Sequence, residues 1–315
     1  MPHTLPYPAA TLPACTNPSQ AFDLTDWMTD RLHAVEQALS RWVAQDSPAG
    51  LGHAMRYAVL DGGKRLRPLL VLATSQAADR PHAEAAMRAA CAVELIHAYS
   101  LVHDDMPCMD NDVLRRGKPT VHVAYGEAQA LLAGDALQAL AFELLVPDDG
   151  CVPPALGAQL CVQLARAAGV HGMAGGQAID LASVGLPLTQ IELERMHSLK
   201  TGALLQASVL MGAACGQVPT VALSELAQYG RHLGLAFQVV DDVLDVVSDT
   251  QTLGKTAGKD AHQDKPTFVS LLGLDAATSY AHDLLAQARA ALDRSGLPQV
   301  QALHALADLV GSRTH

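Results

Sequence analysis

An all-α fold is predicted by three features of this 315-residue chain. Half of it is apolar but only 4% aromatic, and Ala and Leu, which lose little entropy in a helix, dominate. Apolar residues recur at helical spacing from Phe22 onward, and no alternating strand pattern stands out. With only 17% of residues charged, a large core can be buried.

Residues 1–21 are Pro-rich without periodicity and read as a disordered arm, leaving 22–315 as one domain. Breakers divide the rest: Ser47-Pro48, Asp61-Gly62-Gly63, Arg80-Pro81, Pro147 to Pro154, Gly185 to Pro187 and Gly254 to Gly258. The segments between them run about 15–30 residues, longer than the usual ~11–12-residue helix. Long helices facing a shared core fit that pattern.

The balance of 21 basic against 32 acidic residues gives a net charge of -11, which excludes nucleic acid as the main partner. Six scattered cysteines contain no CxxC pair and read as reduced apolar residues. No signal peptide and no run of eighteen apolar residues is evident, so stable membrane insertion is not expected. A cytoplasmic protein is the expectation.

Two acidic motifs carry the chemistry. Asp104, Asp105, Asp110 and Asp112 fall within nine residues at the end of an apolar helix. Pro107 should break that helix, which matters because Asp104 and Asp110 would point to different faces of a straight one. Acids at a helix C-terminus oppose its dipole, so a bound cation competes well with a solvated surface. In Phe237-Gln238-Val-Val-Asp241-Asp242-Val-Leu-Asp245, Asp241 and Asp245 share one helix face. Carboxylates without His or Cys partners suit a hard ion such as magnesium, whose shell is completed by water and phosphate. Basic groups accompany both motifs: Gly62-Gly63-Lys64-Arg65-Leu66-Arg67-Pro68, Arg115-Arg116-Gly117-Lys118, Lys200-Thr201, and Lys255, Lys259 and Lys265. Each reads as an anion clamp or as a surface counter-charge.

DDMPCMD followed by NDVLRRGKPT, with GGKRLRP upstream and FQVVDDVLD downstream, resembles the trans-isoprenyl diphosphate synthases. The likeness is to bacterial farnesyl and plant-type geranylgeranyl diphosphate synthases, and it spans about Phe22 to Arg313. The resemblance implies the isoprenoid synthase fold, about ten core helices around a central cavity, in a homodimer. It implies condensation of isopentenyl diphosphate with an allylic diphosphate, dimethylallyl or geranyl. Three magnesium ions are implied, with manganese as a substitute: Asp104 and Asp110 would share two, Asp241 would hold the third, and Asp105 and Asp245 are further candidate ligands. Arg115, Lys200, Lys255 and Lys265 would contact the allylic diphosphate. Lys64, Arg67, His97 and Arg116 would hold isopentenyl diphosphate, and Thr201 and Gln238 would stabilise positive charge. On residue type alone, His97 reads as a hydrogen-bonded core histidine and only its motif position favours substrate contact, while Gln177 and Asp180 read as cavity lining or as caps of buried polar groups. A terpene cyclase, a helical metal phosphohydrolase and an inactive regulatory subunit are weaker alternatives.

Tyr99 lies five residues before Asp104, about 7.5 Å deeper along a helix axis at 1.5 Å per residue. A ring there would floor the cavity at fifteen carbons, which favours farnesyl over geranylgeranyl diphosphate as product. The alternative is that Tyr99 merely packs between helices with its hydroxyl hydrogen-bonded.

Overall fold

The computed structural model describes residues 22–60, 62–247 and 266–312. Asp23 caps α1 (Leu24–Trp42) by accepting the Thr25 and Asp26 backbone N–H groups. The Ser47-Pro48 breaker becomes a 3₁₀ turn (Pro48–Gly50) leading into α2 (Leu51–Val59). Helices α3 (Leu66–Ala77) and α4 (Ala83–Asp104) follow, then a small hairpin of β1 (Leu114–Arg115) and β2 (Lys118–Pro119). Beyond it come α5 (Val121–Tyr125), α6 (Glu127–Leu145), α7 (Pro154–Ala168), α8 (Met173–Ala182) and α9 (Gln190–His197). A π-helical turn (Ser198–Gly202) joins α9 to α10 (Ala203–Ala214), followed by α11 (Thr220–Val247). The described chain closes with α12 (Phe268–Leu272), α13 (Leu274–Ser295) and α14 (Gln301–Gly311).

The all-α expectation holds, with one local departure. The hairpin is a strand pair that the basic Arg-Arg-Gly-Lys stretch concealed. Its central residues, Arg116 and Gly117, both adopt positive φ (52° and 75°), as a tight two-residue turn requires. Glycine does this freely, whereas Arg116 is held there against its side-chain preference.

Two apolar clusters form the core. One gathers α1, α2, α4, α6 and α7; the other gathers α11, α13 and α14, and α3 contributes Val71 and Leu72 to the first and Leu69 and Leu70 to the second. Helix α10 belongs to both, sending Leu204 and Met211 into the first and Leu205 and Val209 into the second. Gly212 lets it lie against α3, because a Cβ there would collide with the Val71 carbonyl. The spine formed by α3 and α10 therefore fixes how the two motif-bearing helices, α4 and α11, stand relative to each other.

Helices α4 and α6 are each long and apolar enough, by length and composition, to cross a membrane. For α4 that composition is core packing, since 83% of its apolar stretch is buried; for α6 the share is only 39%.

Candidate active site

Helix α4 ends at Asp104, three residues before Pro107, as the proline dictates. The chain then folds back on itself. Asp110 donates its backbone N–H to the Asp104 carbonyl (2.8 Å), and Asp112 donates to that of Asp105 (3.1 Å). Asn111 takes a positive φ of 52° to complete the turn. The two carboxylates a straight helix would separate are thereby brought together. Burial, then the charge of Asp110, pushes the Asp104 carboxyl above its usual range, against the opposing pull of Lys200. Gln177 of α8 donates to Asp104 Oδ1 at 2.7 Å.

Asp105 points elsewhere. It is buried, and Arg115 grips both its oxygens, Nε at 2.8 and 2.9 Å and an η-nitrogen at 2.5 Å. The hairpin supplies this arginine, whose guanidinium burial would weaken but which Asp105 holds above its ordinary pKa. A carboxylate and guanidinium paired in this fork satisfy one another.

Across the site, Lys200 occupies the π-turn, a local expansion common where helices carry function. Its ammonium pairs with Asp180 of α8 at 2.6 Å. Burial opposes its charge, yet Asp180 and then Asp104 more than offset this and raise its pKa. Gly176 permits the contact, because any Cβ there would strike the Lys200 backbone. Thr201 donates its hydroxyl to Gln238 Oε1 at 3.0 Å, joining the π-turn to α11 one turn before Asp241 and Asp242. Asp241 and Asp245 both lie on α11, Asp241 half-buried and Asp245 buried.

The second basic group is divided by the fold. Arg65 is buried and paired with Glu36 and Glu94, each at 2.6 Å, so it braces the start of α3. Lys64 is exposed beside it, whereas the Arg67 Nε is buried without a hydrogen-bond partner. Arg116 donates to the Gly62 carbonyl at 2.9 Å, and its guanidinium fills the space where a Gly63 side chain would stand. Burial lowers the pKa of both Arg67 and Arg116, and each also lies within the other's field or that of a neighbouring arginine. His97 is held neutral, its pKa pushed well below the ordinary value by burial and then by Arg67, Arg116, Arg115 and Arg65. Crowded cations with an unpaired buried donor are relieved by an anion.

Tyr99 is 9% exposed, between α4 and α6. Its ring stands edge-on to His103 (centroids 5.7 Å apart, 76°), and Gln138 of α6 hydrogen-bonds its hydroxyl. Lys255 and Lys265 lie outside the described residues.

The donor set suits a hard divalent ion. Asp104 and Asp110 repel each other, and both offer hard carboxylate oxygens. Among the described residues no three acidic, His or Cys side chains form a closed cage. An ion held here draws on water and phosphate oxygens for the rest of its shell, which is the habit of magnesium.

Partners of four site residues escape a reading of the sequence: Asp180 for Lys200, Gln177 for Asp104, Glu94 for Arg65 and Asp242 for Gln238. They lie between four and 73 residues from the groups they hold, and only the last keeps a helical spacing.

A polyprenyl synthetase family model matches residues 48–302. The chain belongs to that family. It is 43% identical over 295 residues to a chloroplastic geranylgeranyl pyrophosphate synthase of Capsicum annuum, covering 93% of this chain and 80% of that protein. It is 47% identical over 250 residues to a farnesyl diphosphate synthase of Geobacillus stearothermophilus, covering 79% and 84%. Among solved structures, a Helicobacter pylori geranyltransferase complexed with magnesium and isoprenyl diphosphate superposes with a TM-score of 0.83 at 34% identity, covering 93% of this chain and 99% of that one. The architecture is accordingly the all-α isoprenoid synthase fold, in a family of trans-prenyltransferases that depend on divalent metal.

Proposed function

We propose that this prenyltransferase joins isopentenyl diphosphate head-to-tail to dimethylallyl and then geranyl diphosphate, releasing farnesyl diphosphate as its main product. The observation that supports the reaction is that Asp104 and Asp110 lie in the field of Lys200, while the crowded Arg67 and Arg116 lie in the fields of Asp241 and Glu94 respectively. Asp104, Asp110 and Asp241 would hold three magnesium ions, or manganese in their place, and these supply charge neutralisation to a departing diphosphate. Lys200, raised in pKa by Asp180, donates to the same allylic diphosphate, as do Lys255 and Lys265 in this reading. Arg67 offers its unpaired Nε to the second diphosphate, with Lys64, Arg116 and neutral His97 around it. Thr201 and Gln238 present oxygens toward the allylic carbon as positive charge develops. The apolar face of α4 keeps water from that carbon. No protein base is needed, because the departing diphosphate takes the proton.

Tyr99 supports the fifteen-carbon product. Buried on α4 and set edge-on to His103, its ring lies below Asp104. The likeness to the Capsicum synthase favours geranylgeranyl diphosphate as the second reading. Chromatography of products from purified enzyme with magnesium, isopentenyl and dimethylallyl diphosphates tests both. Farnesyl diphosphate is expected to dominate; a predominantly twenty-carbon product would overturn the floor.

The homodimer belongs to the same reading, and helix α6 is its proposed contact. Leu131 and Leu132 on that helix are 46% and 52% exposed, and Val123 of α5 extends the apolar surface. Burial of this face against a second copy, in the cytoplasm and without membrane insertion, accounts for an apolar helix left uncovered by its own chain.

A further inference from the structure

Asp242 follows Asp241 in the second acidic motif, yet it is only 2% exposed and each of its oxygens accepts a hydrogen bond. Oδ1 accepts from Gln238 Nε2 at 2.9 Å. Oδ2 accepts the backbone N–H of Phe268 at 2.8 Å. Phe268 is the first residue of α12, so this N–H is one of the donors that a helix start leaves without an internal partner. The other end of Gln238 accepts the Thr201 hydroxyl at 3.0 Å. One hydrogen-bonded chain thus runs from α12 through α11 to the π-turn.

The chemistry of the donors gives that chain a direction. A carboxylate only accepts, whereas an amide accepts at one end and donates at the other. With Asp242 on one side, Gln238 must turn its NH₂ there and its oxygen to Thr201. Thr201 then commits its single proton to that oxygen, leaving lone pairs for the site. Were Gln238 reversed, amide hydrogens would face Thr201 and the local dipole would oppose a developing cation.

We propose that Asp242 is a positioning residue for prenyl transfer, fixing the polarity of the Gln238–Thr201 pair while anchoring the start of α12. This rests on the prenyltransferase reading above. It gives the second aspartate of the motif work other than holding metal.

Steady-state kinetics of Asp242→Asn provide the test. The substituted amide keeps the shape and an oxygen for Phe268, but its NH₂ faces Gln238 and compels that side chain to turn. We expect kcat to fall on the order of a hundredfold, the scale of one misdirected dipole at a reacting centre. KM for both diphosphates and the half-saturating magnesium concentration should stay within about twofold, since only the transition state loses an interaction. Asp242→Asn combined with Gln238→Glu restores an acceptor both for the new NH₂ at position 242 and for Thr201, and should exceed either single variant in kcat by about tenfold or more. If Asp242→Asn alone does not fold, the comparison of Gln238→Glu with the double variant decides. A shifted magnesium requirement in Asp242→Asn would make the residue a ligand and overturn the proposal. Equal activity of the double and single variants, or a lowered melting temperature without a kcat loss, would reduce Asp242 to an anchor of α12. Wild-type enzyme that forms no prenyl product would overturn the prenyltransferase reading itself.

Discussion

The second aspartates of the two motifs occupy equivalent places in sequence and meet different fates. Asp105 and Asp242 are each 2% exposed and each hydrogen-bonded through both oxygens. Asp105 is neutralised by a cation, Arg115, delivered by a strained hairpin. Asp242 accepts from the Gln238 side-chain amide and from the Phe268 backbone N–H. The first arrangement locks a loop; the second polarises an amide next to the reacting centre. The same acidic spelling therefore yields two different environments, one carboxylate stapled to a guanidinium and one hydrogen-bonded to an amide and a helix start.

The sharpest way to break the comparison is through the first aspartates. Asp104→Ala or Asp241→Ala should lower turnover by orders of magnitude, and a chelator should abolish it in wild type. The effect on folding should be small, because burial already disfavours the Asp104 charge. Near-normal turnover in both variants would sink the division of labour between first and second aspartates.

Asp105→Asn probes the staple. Loss of one partner in a fully buried ion pair costs about 3–5 kcal/mol. Arg115 is 33% exposed and has Asp112 at 3.9 Å, so about 2 kcal/mol is expected here. Denaturant unfolding measures it. Asp242→Asn should cost less, since it keeps the bond to Phe268; an equal or larger loss would erase the contrast.

How far the sequence alone discloses this site follows from the length of chain between partners. The break after Asp104 is readable, because Pro107 acts within one helical turn. The order and composition of both acidic motifs are readable for the same local reason. The Asp180–Lys200 pair spans 20 residues, Glu94–Arg65 spans 29 and Gln177–Asp104 spans 73, so these contacts emerge only when α3, α4, α8 and the π-turn pack. The hairpin was hidden because a two-residue turn with positive φ ordinarily advertises itself through Asn-Gly or Asp-Gly, and here reads Arg-Gly. Within GGKRLRP, one arginine is a buried brace and the other carries an unpaired Nε; Arg65 precedes α3 with a positive φ of 49° whereas Arg67 lies in its first turn, and nothing in the spelling announces that left-handed residue.

That last distinction is testable by substrate. Arg67→Ala or Lys64→Ala should raise KM for isopentenyl diphosphate by roughly tenfold or more, with the allylic KM nearly unchanged, since a charge-assisted bond contributes about 1.5–3 kcal/mol. Arg65→Ala should instead lower stability through Glu36 and Glu94. Equal losses of affinity for both substrates in Arg67→Ala would argue against two separate diphosphate sites.

The smallest change in turnover is expected one turn below the first motif, where the consequence is product identity. Tyr99→Ala removes a ring held by Gln138 and braced against His103. His103 itself stays in place, because its ring rests on Gly134 of α6 and its Nε2 meets the Leu131 carbonyl at 3.1 Å. The space opened is therefore a local cavity beneath Asp104, and α4 keeps its position. Cavity formation at a buried aromatic costs about 3–5 kcal/mol of stability, so assays belong well below the melting temperature. An isoprenoid chain is apolar and flexible enough to occupy that space, which returns part of the lost burial when product is bound. Products should shift toward twenty carbons or longer while the rate of isopentenyl incorporation stays within about tenfold of wild type, because no group at the reacting carbon has moved. Chromatography of dephosphorylated products reads the shift directly. An active variant with an unchanged fifteen-carbon profile would leave Tyr99 as packing between α4 and α6, and the floor would have to lie deeper in the cavity.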